Sequence, residues 1–344
     1  MNRSLQARLG YFLVVGVMAS FAVTFLMVGR PAAAAPFVMK LGTATINDQQ
    51  YEWLKRFKVA VERDSKARIS VEIYPASQLG SIPREIEDTQ FGAIQGWIGP
   101  TEFLVGIDPR YQTLSAPGVF ATPQQANQTY QDPVFSRALL GLGASKGLKG
   151  LSLMYYGQNG VVTRRAARTL SDFKDMRIRD SGGDMQQLML RALGIVGLPM
   201  PLDQVLPALQ QGAIEGVMMT IPAATTLKLY DAAKYFTDFA VSTVTAIVVI
   251  NKSWFDKLPL DLQKIVASDG QTVGRELLPF TLNFTEQENN AWKAGGGEIV
   301  HLPASDASQM RSLEGNVPGR VIEGKQDLKQ FYDLLVKTAQ KYRQ

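Results

Sequence analysis

The chain has 344 residues, 46% of them hydrophobic and 19% charged, an ordinary globular balance with length enough for two domains. The absence of cysteine excludes disulfides, thiolate metal sites and cysteine nucleophiles. The formal charge of +5 falls to +2 once Arg3, Arg8 and Arg30 of the N-terminal leader are set aside, and the other basic residues are scattered, so nucleic acid is not an expected partner.

In the leader, Arg3 and Arg8 precede an apolar run over 10–29, and Pro31, four alanines and Pro36 follow. This is the order of a secretory signal: basic start, apolar middle, small-residue cleavage site. Cleavage is expected after Ala34, making 1–34 a signal peptide and the mature protein an exported one. A permanent membrane anchor is the alternative, since the run is about long enough to span; its alanine-rich end favours cleavage.

A strand is expected over 37–44 (FVMKLGTA). Over 49–65, Tyr51, Leu54, Phe57 and Val61 recur at helical spacing. The run 69–74 (ISVEIY) alternates as a second strand, and a turn over 75–80 follows. A helix over 84–91 ends at Gly92, and a third strand covers 94–98. Glu85, Glu87 and Asp88 read as that helix's exposed face. The order β-α-β-α-β predicts a parallel sheet with helices on its faces. Next come a buried loop over 114–120 (LSAPGVF), a helix over 123–142 and a strand over 150–156 (GLSLMYY).

The stretch 172–222 repeats the rhythm. Met176-Arg177-Ile178-Arg179 alternates as a strand, and a Ser-Gly-Gly turn follows with Ser181 or Asp184 as helix cap. Leu188, Met189, Ala192 and Leu193 mark a helix, 194–200 a strand, 204–210 a helix ended by Gly212, and 214–219 a third strand. In such sheets ligands sit beyond the carboxyl ends of the strands. Arg179 stands at one such end and Met218, Met219 and Thr220 at another. The β-branched run 241–250 is long enough to cross between domains. Helices over 251–256, 259–269 and 271–294 follow, then a break at 295–297, a short strand over 298–302 and an amphipathic helix over 325–342. Two sheet units joined by more than one crossing predict a hinged, two-lobed α/β binding protein.

Four stretches together resemble one family: 69–80 (ISVEIYPASQLG), 172–179 (DFKDMRIR), 199–212 (PMPLDQVLPALQQG) and 251–259 (NKSWFDKLP). In order and spacing the chain is similar to the DctP-like extracytoplasmic solute-binding subunits of tripartite ATP-independent periplasmic (TRAP) transporters. The resemblance implies a class II periplasmic-binding-protein-like fold, each lobe a mainly parallel sheet flanked by helices around a cleft. The expected lobes are 35–156 with 245–284, and 157–244 with 285–344. It also implies a periplasmic location, a small organic acid as ligand, and small and large integral membrane subunits, driven by an ion gradient, as partners. The family's hallmark arginine, which holds a ligand carboxylate through two hydrogen bonds, matches Arg179. A planar, permanently charged guanidinium suits that role.

Departures from the family bear on the ligand. Asn159, in Gly157-Gln158-Asn159, stands where many members carry a second arginine. Met219, in Glu215-Gly-Val-Met-Met-Thr220, replaces a polar asparagine, and Met218-Met219 offers none of the carboxylate through which some members hold a metal ion. Leu202 takes the place of a frequent aromatic residue, and Pro100 that of an acidic contact, with Trp97 nearby. The expected ligand contacts are Arg179, Asn159, Gln158, Met219, Leu202, Trp97 and Thr45. A single anchor predicts a monocarboxylate with an apolar or aromatic body, because a second buried charge would lack a partner. Arg110, Arg164 and Arg165 are the residues that would alter this. C4-dicarboxylates, 2-keto or 2-hydroxy acids, and ligand delivery to a sensor remain alternatives.

No enzyme, cofactor or metal is expected. His301 is the only histidine and has no Ser or Asp at triad spacing. The glycine-rich run 141–147 matches neither the nucleotide nor the dinucleotide fingerprint. A two-lobed α/β hydrolase is the rival class and would need a nucleophile–base pair.

Overall fold

The computed structural model describes residues 37–343, so the leader and its expected cleavage after Ala34 lie outside the described residues. Nine strands form one sheet: β1 (Phe37–Gly42), β2 (Ile69–Tyr74), β3 (Gly96–Pro100), β4 (Leu148–Thr163), β5 (Arg177–Asp180), β6 (Val196–Pro199), β7 (Gly216–Met219), β8 (Tyr235–Asn251) and β9 (Glu298–Val300). Their order is β2-β1-β3-β8-β4-β7-β5-β6, with β9 beside β8. β1 pairs in parallel with β2 and β3, and β5 in parallel with β6 and β7. These are the two β-α-β-α-β units that the sequence predicts.

The two units are joined by β4 and β8, which pair antiparallel from Leu148–Asn251 to Thr163–Tyr235. At 16 and 17 residues they are each roughly 50 Å long, enough to run through both lobes. β3 attaches to one end of this ribbon, Gly96 opposite Ile250, and β7 to the other, Gly160 opposite Met219. The mainly parallel sheet thus divides into two lobes, each built on one end of a shared ribbon. Sequence reading ends β4 at Tyr156 because glycines follow. The structure uses them where the ribbon bulges: the register shifts between Tyr155 and Gly157 and between Gln158 and Gly160. A Cβ on Gly160 would collide with the Phe236 ring and lie 2.7 Å from the Thr237 carbonyl oxygen.

Helices follow the apolar stripes with a few corrections. In Gln49–Asp64 the buried face is Trp53, Leu54, Phe57 and Val61, with Trp53 stacked on Phe57 at 4.6 Å and Asp48 capping through Tyr51 N. The helix expected over 123–142 is two, Pro123–Gln131 and Pro133–Leu140, because Pro133 cannot continue the first and Asp132 caps the second through Val134 N and Phe135 N. The helices expected over 259–269 and 271–294 are Leu260–Glu276 and Leu278–Ala294, so the break falls at Leu277, before Pro279, which has no N–H to donate. Neither Ser181 nor Asp184 caps Asp184–Ala192. Gly183 holds the cap position without a side-chain bond, and Gly182 and Gly183 take φ of 105° and 86°, which side-chain-bearing residues avoid. Helices Ala304–Gly315 and Val317–Ile322 carry too few buried apolar residues to be seen as periodic. The last helix, Gln326–Lys341, expected with the second lobe, touches both: Leu328 packs into the cluster of Met185 and Met189, while Phe331 lies 5.8 Å from Phe135 and Gln125 Nε2 donates to Ala339 O at 2.8 Å.

Glu85 is also corrected. Helix Ile82–Phe91 buries Ile82, Glu85, Ile86 and Thr89, one stripe at helical spacing, so Glu85 faces inward while Glu87 is exposed. No side chain pairs with the Glu85 carboxyl, and burial pushes it up from 4.5 to about 7, against the pull of the Leu79 backbone N–H. The unfolded chain releases this proton near its ordinary value and the folded chain only near 7, so this group lowers stability as pH rises through that window. The variant Glu85→Gln escapes the loss: its melting temperature minus that of the wild type should grow between about pH 5 and about pH 8. A pH-independent difference in thermal melts would show an unshifted carboxyl.

Candidate ligand-binding site

Arg179 is the penultimate residue of β5, the strand held between β6 and β7, with Leu198 and Val217 opposite it. Its side chain therefore emerges at the carboxyl end of the second-lobe sheet. It is 2% exposed. Nε donates to Met200 O at 2.9 Å and Nη1 reaches Ser181 Oγ at 3.4 Å. The guanidinium carbon lies 5.8 Å from the centre of the Phe103 ring. Nη2 is buried and has no partner. Burial lowers the pKa to about 10, which leaves the group charged at neutral pH. The adjacent Asp180 accepts instead from Gly182 N at 2.7 Å and from Gln187.

Arg179 opens into a cavity of about 50 Å³ between the lobes. The first lobe contributes Ala44 and Thr45 beyond β1, Trp97, Ile98 and Pro100 of β3, and Glu102 and Phe103 just after it. The second contributes Arg179, Ser181, Gln186, Leu202, Met218 and Met219. Asn159 and Val244 come from the ribbon. The lobes are closed on one another: Gln186 Nε2 donates across to Glu102 Oε1 at 3.4 Å, and Met185 N to Gln112 Oε1 at 3.1 Å.

Of the expected contacts, Arg179, Asn159, Met219, Leu202, Trp97 and Thr45 line this cavity. Gln158 does not. Successive strand residues face opposite sides of a sheet, so with Asn159 turned inward Gln158 borders a separate depression beside Tyr155, Asp238 and His301. Asn159 Nδ2 donates to Ser242 Oγ at 3.1 Å. The three further arginines are also elsewhere. Arg110 pairs with Asp108 at 2.6 Å, Arg165 donates to Asp172 O at 3.2 Å, and Arg164 borders a surface groove. Arg179 is the only basic residue in the cavity wall among the described residues.

Sequence reading misses Glu102, Gln50 and Tyr156. Glu102 is 4% exposed and lies in the short helical turn Thr101–Leu104 at the carboxyl end of β3. Oε1 accepts from Ser115 Oγ at 2.7 Å, whereas Oε2 is buried without a partner. Burial raises its pKa, against the pull of Ser115 and Arg179. Its position just beyond a strand of the first parallel unit was the available signal. On the floor of the cavity, Tyr156 Oη donates to Asp48 Oδ2 at 2.8 Å, and Thr43 Oγ1 donates to Gln50 Oε1 at 3.2 Å. Asp48 is the cap of the first helix, so this corner is fixed by the fold and offers no second positive charge.

The family model DctP, described as bacterial extracellular solute-binding protein, family 7, matches residues 42–317. The chain is 24% identical over 257 residues to the 2,3-diketo-L-gulonate-binding periplasmic protein YiaO of Escherichia coli, covering 74% of this chain and 77% of that one. It is 25% identical over 258 residues to the C4-dicarboxylate-binding periplasmic protein DctP of Rhodobacter capsulatus, covering 73% and 75%. A TRAP periplasmic solute binding protein from Desulfovibrio salexigens, solved with bound orotic acid, shares the fold with a TM-score of 0.84 at 20% identity, over 89% of this chain and 100% of that one.

A buried, incompletely bonded guanidinium destabilises the ligand-free fold. The variant Arg179→Met should therefore melt, without ligand, at a temperature no lower than the wild type. A fall of several degrees in calorimetry would instead make the bonds to Met200 and Ser181 structural.

Proposed function

The chain belongs to family 7 of the bacterial extracellular solute-binding proteins, the periplasmic subunits of TRAP transporters, and from this we propose that it captures a small organic monocarboxylate between its lobes and delivers it to the membrane subunits. The observation that carries this reading is the unpartnered Nη2 of Arg179, facing a cavity between the lobes in whose wall no other basic residue stands among the described residues. A ligand carboxylate completes that guanidinium with parallel charge-assisted hydrogen bonds. A second carboxylate would be buried without a cation, which disfavours C4-dicarboxylates here even though a relative is named for them. Trp97, Leu202 and Met219 give the remaining wall its apolar character and suit an aliphatic or aromatic body. A 2-hydroxy or 2-keto acid is the second reading, favoured by the Asn159 side chain in the same wall.

Because wall residues come from both lobes, ligand contacts are complete only when the lobes close. A ligand shifts the open–closed balance by its difference in affinity for the two forms, and the closed form is the one presented to the membrane partner. Family members are solute-binding proteins, and the chemistry required here is capture.

A thermal-shift screen of the protein against mono-, di-, keto- and hydroxy-acids tests the reading, since a ligand of the folded state raises the melting temperature by mass action. Shifts are expected with monocarboxylates and not with succinate. Arg179→Ala should weaken the best acid by at least about 100-fold in calorimetry, in line with loss of a buried charge partner. Unchanged affinity would remove the anchor. Met219→Ala should change the order of preference among acids while retaining carboxylate binding.

A further inference from the structure

We infer that Glu102 is a second specificity-determining residue of this cavity, and that it selects monocarboxylates carrying a hydrogen-bond donor, a hydroxyl or an N–H, on the body of the molecule. The inference rests on the Arg179 reading above and adds to it the polarity of the ligand's other end. Four polar atoms of the cavity wall are buried without a partner: Arg179 Nη2, Trp97 Nε1, Thr45 Oγ1 and Glu102 Oε2. Two of them can only donate, and one is a hydroxyl that can do either. Glu102 Oε2 is the one that asks for a donor. Its sister oxygen already accepts from Ser115 and Gln186, which fix the carboxylate in place.

Unmatched atoms that share one small chamber are matched by whatever fills it. A carboxylate satisfies the donors of Arg179, and a hydroxyl or N–H satisfies Glu102. A second carboxylate has no proton to offer Glu102. With the Arg179 guanidinium and the open Glu102 oxygen in one wall, a ligand that is anionic at one end and donating at the other matches both. The two residues also belong to different lobes, Glu102 following β3 and Arg179 lying near the end of β5. A ligand bonded to both makes its full set of bonds only in the closed form, which is the differential affinity that closure requires.

The test is calorimetric titration of matched acids that share a body and differ by one group: phenylpropanoate against phenyllactate and phenylalanine, isocaproate against hydroxyisocaproate and leucine, with succinate alongside. In the wild type the hydroxyl- or amino-bearing member should bind about 10- to 100-fold tighter than its plain partner, the range for a bond to a charged group. Glu102→Gln should remove most of that preference, read as the ratio of the two members' affinities within the variant. Equal binding of both members by the wild type, or a preference unchanged in Glu102→Gln, overturns the inference. If that variant does not fold, the wild-type comparison alone decides. Arg179→Ala separates the two readings: if it binds the acids as well as wild type, the anchor fails, whereas loss of all binding there with no Glu102-dependent preference defeats only the present inference. No binding of any acid by the wild type overturns both.

Discussion

The hydrogen bonds between β4 and β8 run from Leu148–Asn251 to Thr163–Tyr235, and each parallel unit is attached to one end of that ribbon. Antiparallel pairing fixes two strands against each other residue by residue. Once the ribbon is set, the carboxyl ends of β3, β5 and β7 are brought to one central place. Trp97 and Glu102 arrive there from one side and Arg179 and Met219 from the other. The cleft is thus a consequence of strand pairing, and its chemistry comes from residues placed at strand ends. Bulges at Tyr155–Gly157 and Gln158–Gly160 interrupt the ladder beside that place. Local loss of ladder bonds lets a ribbon bend there with little disturbance to the sheets at either end.

Many buried polar groups of the protein find partners, as Asn251 does with Thr89 O and Thr237 does with Ala167 O, while others, among them Trp53 and Glu314 away from the cleft, do not. In the cleft several remain unmatched, each costing about 1–3 kcal/mol by general experience. A fold tolerates such conflicts where function requires them. Glu85 is a different case: it is buried without a side-chain partner but outside the cavity wall, with its carboxyl raised to about 7. Near neutral pH that group is held close to half-protonated, which softens the penalty of burying it.

Much of this was legible in the sequence, for identifiable reasons. β2 alternates strictly, and the structure has the predicted bounds. Gly92 and Gly212 end their helices in the left-handed conformation, as glycines at that position do. The β-α-β-α-β rhythm and the R-I-R strand located Arg179 at a strand end. What remained hidden depends on tertiary contact. The inward turn of Glu85 required knowing which stripe of a short helix is covered. The passage of β4 through Gly157 and Gly160 required the partner strand. Gln158 and Asn159 are adjacent, and only the register of the ribbon decides which of them faces the cleft. Glu102 has no signal of its own in the sequence, because Ser115 and Gln186 reach it only in the folded chain.

The route of the chain sets which exchanges it tolerates. It passes from the first parallel unit along β4 to the second, returns along β8, and its last helix again reaches the first lobe, Phe331 against Phe135. The first-lobe wall comes from 44–103 and the second-lobe wall from 179–223, whereas the ribbon that carries both is built from two strands far apart in sequence. An exchange that replaced one ribbon strand without the other would set mismatched strands against each other along the whole ladder. Single changes at cavity-facing residues such as Asn159, Met219 and Glu102 leave that pairing untouched, so the wall can be altered without altering the frame that holds it.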